Sequence, residues 1–227
     1  MKHSLLLFGS ILAINLSVVA SPATKRTLST LSSTYLTAAQ AQDEDTAYTQ
    51  VIMQRAAKIV ATLEIPDSAA ALRVRNLIMD QYRALNAIYN ERDARIKNAR
   101  SQPDADKQAI DSARKNAEED VTKRLGPLHE EYLARLAKEL NPQQIDKVKD
   151  GMTYSVLEVT YRAYQDELPD LTEPQKTQIL AWLTEAREHA MDAESSEKKH
   201  AWFGKYKGRI NNYLSAQGID MKKAHSK

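Results

Sequence analysis

After residue 41 the apolar residues recur at helical spacing, and few of the six glycines and seven prolines interrupt them. That periodicity restricts the chain to an all-α fold. Over residues 69–100, Val74, Ile78, Tyr82, Leu85, Tyr89 and Ile96 mark one face of a helix. At ~1.5 Å per residue it is a rod of about 45 Å. Ser101-Gln102-Pro103-Asp104 reads as a turn, and a second long helix is expected over 106–139. Its inward face carries Ile110, Ala117, Val121, Leu125, Leu128, Tyr132 and Leu136. Two long helices joined by a short turn predict an antiparallel hairpin. Gly126-Pro127 lies inside the second rod and is expected to kink or split it, because proline lacks a donor and crowds the preceding turn.

Shorter helices flank this hairpin. Val51, Ile52, Ala56, Ile59, Val60 and Leu63 form a stripe over 45–63, and Pro66-Asp67-Ser68 stops it and caps the next helix. Leu140-Asn141-Pro142-Gln143-Gln144 and Leu171-Thr172-Glu173-Pro174-Gln175 are both helix starts, with a capping residue, proline at the first position and glutamine at the third. Between them, 152–168 is read as helix although Val156, Val159, Thr160, Tyr161 and Tyr164 also suit a strand. The Thr172 helix buries Ile179, Leu183, Ala186 and Ala190 and ends near Asp192. Ser195 or Ser196 starts the last helix, and Gly218 closes it. The expected architecture is a helical bundle built on the long hairpin plus shorter C-terminal helices.

The first residues read as an export signal. Lys2 and His3 precede an apolar run over 5–16, too short to cross a bilayer and of the size of a signal-peptide core. Cleavage is expected after Ala20 or after Ala41, so residues 1–41 are read as signal and leader, and 42–227 as one helical domain. Loss of Lys2, Lys25 and Arg26 takes the formal charge from +2 to −1. A near-neutral chain lacks the basic excess that nucleic acid requires, and no membrane span remains after cleavage. The chain has no cysteine, so a periplasmic or secreted location would have to be met without disulfides, by packing alone.

No nucleophile motif, phosphate loop or zinc signature is present, so neither catalytic residues, metal nor cofactor is expected. Glu185 and His189 share a helix face at i,i+4 and, with His200, supply ligand types for a metal, but an ordinary surface hydrogen bond explains the pair. A lyase would need Tyr161 or Tyr206 within reach of His189 or His200.

Residues 200–214 depart furthest from an ordinary amphipathic helix. They hold Trp202, Phe203, Tyr206 and Tyr213, in a chain that is 6% aromatic, together with Gly204, Gly208, Asn211 and Asn212. At 100° per residue, Trp202, Tyr213, Tyr206, Ile210, Phe203 and Leu214 fall within an arc of about 120°, which packing alone explains. Gly204 and Gly208, flush with Ser215, leave bare backbone opposite, where a second body is expected to approach. Aromatic rings suit the apolar face of a sugar, while amides, arginine and lysine suit its hydroxyls and the carboxylate of an acidic glycan. The expected ligand-binding set is Trp182, Glu185, His189, His200, Trp202, Lys205, Tyr206, Arg209 and Asn212.

The strings Asp150-Gly151-Met152-Thr153-Tyr154 and Leu171-Thr172-Glu173-Pro174-Gln175, with the stretches 181–193 and 199–214, carry a resemblance. The chain resembles an uncharacterised family of secreted, all-helical bacterial proteins. The resemblance implies a sugar-binding role beside polysaccharide breakdown and brings no established site residues. Leu171-Thr172-Glu173-Pro174-Gln175 is also similar to the Leu-Thr-x-x-Gln motif of periplasmic stress chaperones, although Asn141 replaces threonine in the other copy. That likeness implies an exposed apolar concave face on the hairpin, formed by Tyr82, Leu85 or Tyr132.

Overall fold

Capping side chains place most of the helix starts. The computed structural model describes residues 45–104 and 106–219. The chain divides into two compact units, 1–49 and 50–227. In the first, 45–49 are helical, and the expected signal and leader lie outside the described residues. Seven helices and no strand occur among the described residues. They are α1 (45–61), α2 (Ser68–Arg100), α3 (Lys107–Leu136), α4 (Pro142–Met152), α5 (Val156–Glu167), α6 (Glu173–Met191) and α7 (Ser196–Ala216).

Asp67 accepts from the Ala69 amide and Asp106 from the Ala109 amide, giving α2 and α3 their starts. Asn141 with Gln144, and Thr172 with Gln175, form reciprocal capping boxes at α4 and α6. Such a cap is worth about 1 kcal/mol. The two strings that resemble a chaperone motif therefore have a local structural use. At the other end of α7, Gly218 at φ 87° lets its own amide reach Ser215 O and the Ile219 amide reach Leu214 O. These two bonds satisfy carbonyls that a helix end leaves open.

Ion pairs fix the relation of α2 to α3. Glu91 meets Arg124, Asp80 meets Arg135, and Arg73 meets Glu139 just beyond α3. Positions descend along α2 as they climb beyond and along α3, so the two rods run antiparallel. Both helices are unbroken, α3 continuing through Pro127 rather than splitting there. The residue before a proline is pushed out of the helical region by a clash that involves its Cβ, and Gly126 has none. Gly126 and Pro127 are also exposed, where water serves the carbonyl that proline leaves free.

Two groups of buried residues hold the second unit. Ile52, Ala56 and Ile59 of α1, with Val74, Ile78, Tyr82, Leu85, Val121, Tyr132 and Leu136 of the hairpin and Val148 and Met152 of α4, are buried. The Tyr132 hydroxyl donates to Met152 Sδ at 3.3 Å, and Gln144 of α4 donates to Leu63 O at 2.9 Å. The other group lies on α5, α6 and α7, with Tyr164, Ile179, Leu183, Ala186, Phe203, Ile210 and Leu214. Full burial of such side chains contributes roughly 1.5–3 kcal/mol each. That outweighs the ~1 kcal/mol by which each of Gly204 and Gly208 weakens α7.

The stretch read as helix over 152–168 is interrupted at its start. Thr153, Tyr154 and Ser155 separate α4 from α5, with Tyr154 at φ 60° and Ser155 at φ 54°. The Ser155 amide donates to Asp150 O at 2.8 Å, closing α4 in the manner of a glycine-terminated helix but with tyrosine in the left-handed position. Two successive left-handed residues cost on the order of 1–3 kcal/mol each. A buried Thr153, whose hydroxyl donates to Lys149 O, anchors the turn.

At Gly151, α4 comes close to α1. A Cβ there would sit 2.7 Å from Ile59 Cγ1 on α1. Gly151→Ala is expected to lower stability by about 1–3 kcal/mol in urea denaturation. Combination with Ile59→Val should cost less than the sum of the two single changes. A neutral Gly151→Ala would show that α1 does not pack at this distance.

Candidate functional site

The residues expected to bind a ligand form two neighbouring groups, with His200 and Asn212 apart from both. Trp182, Glu185 and Arg209 form the first, with the Arg209 guanidinium 4.5 Å from the Trp182 ring and 3.6 Å from Glu185. Tyr213 meets Trp182 edge-on at 5.3 Å. Second, His189 stacks on Trp202 at 4.4 Å and 17°, with Lys205 Nζ 4.9 Å from the indole centroid and Tyr206 6.2 Å from His189. These two groups are neighbours, because the Tyr206 phenol lies close enough to Glu185 to feel its carboxylate. The indoles are thus half-buried and partly covered by the protein's own cations, and Arg209 is committed to Trp182.

His200 lies elsewhere. It stacks on Tyr154 at 5.7 Å and 22°, and its Nδ1 is 2.8 Å from Ser196 O. The triplet Glu185, His189 and His200 therefore does not converge, and no three ligating side chains among the described residues are placed to hold a metal. Asn212 is exposed and joins none of these groups, whereas its neighbour Asn211 accepts from the Tyr164 hydroxyl at 2.7 Å. The bare strip is also corrected: among the described residues nothing lies within 4 Å of a Cβ built on Gly204 or Gly208. Both glycines face open space, because α7 packs through Phe203, Tyr206, Ile210 and Leu214 on its opposite side.

What the helices bring together is a cleft of about 520 Å³. Tyr89 of α2, Leu125 and His129 of α3, Glu188, His189 and Asp192 at the end of α6, and Trp202 of α7 line it. His129 sits between two carboxylates one helical turn apart, its Nδ1 2.8 Å from Asp192 and its Nε2 3.3 Å from Glu188. Hydrogen bonds to Asp192 and then Glu188 raise its pKa to about 9, so the imidazole is cationic at neutral pH. Burial pushes Glu188 up, yet hydrogen bonds from His129 and Lys149 bring it down to about 2. The Tyr89 hydroxyl donates to Asp192 O at 2.8 Å. Its phenol is raised to about 12 by burial and by the charges of Glu194 and Asp192.

Charges continue behind this cleft. Arg187 is buried, with Asp150 at 2.8 Å and Asp146 at 2.7 Å on α4. Lys149 reaches Glu188 at 2.8 Å. Lys199 of α7 is buried too, donating to Ala190 O and Met191 O at the end of α6. A cation at a helix C-terminus satisfies its open carbonyls. Burial lowers its pKa to about 8.

Residues 49–227 match the model of DUF3826, described as a protein of unknown function. The chain belongs to this family. No match was found among curated proteins.

In the cleft of this DUF3826 domain the imidazole and both carboxylates are held by one another and by Lys149. Both ring nitrogens of His129 are engaged, and an imidazole with a pKa of about 9 already carries its proton at neutral pH, so it is not free to accept another there. Tyr206 is near His189, but burial and the nearby Glu185 carboxylate push it up to about 12, away from a ready general base. Tyr82, Leu85 and Tyr132 are buried, so they do not form an open apolar face. No helix among the described residues is long and apolar enough to cross a membrane.

His129, Arg187 and Lys199 were not singled out in the sequence. His129 is 63 residues from Asp192, and no local motif joins them. The i,i+4 spacing of Glu188 and Asp192 was the one available signal.

The raised His129 pKa has a definite sign. Its contribution to stability is complete below pH 6.5 and is lost as pH rises through about 9. The rise corresponds to on the order of 3 kcal/mol. His129→Ala also strands the Asp192 carboxylate, while Glu188 keeps Lys149, so it should cost about 3–5 kcal/mol near pH 6. The gap to wild type should narrow above pH 9 in urea titrations; a gap unchanged between pH 6 and pH 10 would refute the ionic assignment. Gly204→Ala and Gly208→Ala should each raise stability by up to about 1 kcal/mol, read as an increase in Tm. A fall in Tm would reveal a neighbour on that strip.

Proposed function

We propose that the protein is an exported, non-catalytic carbohydrate-binding protein that serves polysaccharide utilisation. The carrying observation is that Trp202, His189 and Tyr89 share one cleft with the His129, Glu188 and Asp192 charges. A volume of about 520 Å³ falls in the range of small-molecule sites, which combine aromatic walls with a few fixed polar groups. A saccharide presents an apolar ring face to the former and hydroxyls to the latter. The Trp202 indole N–H is a further donor. Export rests on the apolar run over 5–16 and the small residues that follow it. The resemblance to a family associated with polysaccharide breakdown supports the same reading.

The chain has two tryptophans, which makes a direct test available. In a Trp182→Phe background the emission of Trp202 should change saturably with a saccharide from a panel of neutral and charged oligomers. His189→Ala should weaken that affinity at least tenfold, about 1.4 kcal/mol. Absence of any response across the panel, and of any hit on a glycan array by folded protein, would sink the proposal.

A further inference from the structure

A second cleft, of about 570 Å³, opens between α1, α2, α4 and the α4–α5 turn. Three cations line it: Arg55 and Lys58 on successive turns of α1, and Lys147 of α4. Arg55 and Lys58 have no hydrogen-bonding or ion-pair partner among the described residues. Lys147 spends one donor on Thr62 O at 3.2 Å and keeps two. The two carboxylates in the same wall are already neutralised, Asp150 by Arg187 at 2.8 Å and Glu158 by Arg162. The cleft is left with uncompensated positive charge.

Its aromatic element is unusual for its position. Tyr154 is 45% exposed, and the conformation it adopts is one where glycine or asparagine meets less strain. The turn itself is closed by the Ser155 amide to Asp150 O and by Thr153, neither of which needs a phenol ring. His200 stacks behind that ring and steadies it. Ser155, at the start of α5, makes no capping bond with its hydroxyl and faces the same cleft. Cations and a hydroxyl without partners among the described residues, beside a braced aromatic plate, match a ring that carries an anion.

We propose that this cleft binds an acidic sugar residue, its carboxylate or sulfate held by Arg55 and Lys58 and its apolar ring face lying on Tyr154. Arginine suits the oxyanion because its planar fork donates two parallel hydrogen bonds. The site is separate from the His189–Trp202 cleft. The choice of a sugar over a bare oxyanion rests on the carbohydrate reading above, whereas the anion site stands on the three cations.

Calorimetric titration of the full chain tests this with three probes: oligogalacturonate, its methyl ester and sodium sulfate. Oligogalacturonate should bind, more weakly as salt is raised, and methyl esterification should abolish the heat. Arg55→Gln combined with Lys58→Gln should weaken binding at least tenfold with Tm unchanged, since both side chains are unpartnered among the described residues. Tyr154→Asn, which keeps the left-handed turn, should weaken it several-fold. Trp202→Ala should leave this binding intact, so that failure of the other cleft is distinguishable.

Sulfate binding as tightly as the oligomer, with Tyr154→Asn silent, would overturn the sugar and leave an oxyanion site. Binding lost in Trp202→Ala but retained in the Arg55/Lys58 variant would assign the ligand to the other cleft. No heat with any probe would remove the site altogether.

Discussion

Glu188 and Asp192, one turn apart at the end of α6, grip a single imidazolium from α3. Around that contact the separate parts of the bundle are joined. Arg187 and Lys149 carry the charges across to α4, and Tyr89 reaches the Asp192 carbonyl from α2. Lys199 closes the same helix end from α7. In low-dielectric surroundings such a network is costly unless nearly every member is paired. Here a few atoms stay unsatisfied, among them Asp192 Oδ1 and Arg187 Nε. The network therefore specifies how helices meet more than it adds net stability, and the apolar residues of α5–α7 supply the latter.

The aromatic residues of α6 and α7 have a mixed character. Phe203 and Ile210 are sealed in the core, while Trp182 and Trp202 lie at its rim with a cation beside each ring. A rim of that kind keeps the indoles ordered without hiding their edges. Trp202, and not Trp182, borders the cleft with His129. Recognition and packing share one helix, divided by which side of the arc a ring occupies.

Local chemistry made much of the fold legible. Asn141 and Thr172 announced helix starts through their glutamine partners, and Gly218 announced an end, because each acts within a few residues of itself. Phe203, Ile210 and Leu214 were readable as core from their shared arc. Three features were not. Pro127 is tolerated because Gly126 and solvent remove the usual penalties, a matter of context that spacing does not carry. Tyr154 and Ser155 bend the backbone where a glycine would have advertised the turn. His129 meets its partners only after folding, so the central cleft had no linear signature. The bare glycine strip misled for the opposite reason: a missing side chain implies a neighbour only if something is there.

The outer part of the hairpin is built differently from the rest. Burial in α2 ends at Ile88 and in α3 begins at Ala117, and beyond them Ile96 and Ile110 are only half covered. Regions with few buried apolar contacts open at lower free energy than the core. The far turns can therefore fray and re-form while the charge network and both clefts stay closed. That makes the loop near Pro103 a natural place to splice in a reporter or an immobilisation tag, remote from every side chain that shapes the binding surfaces.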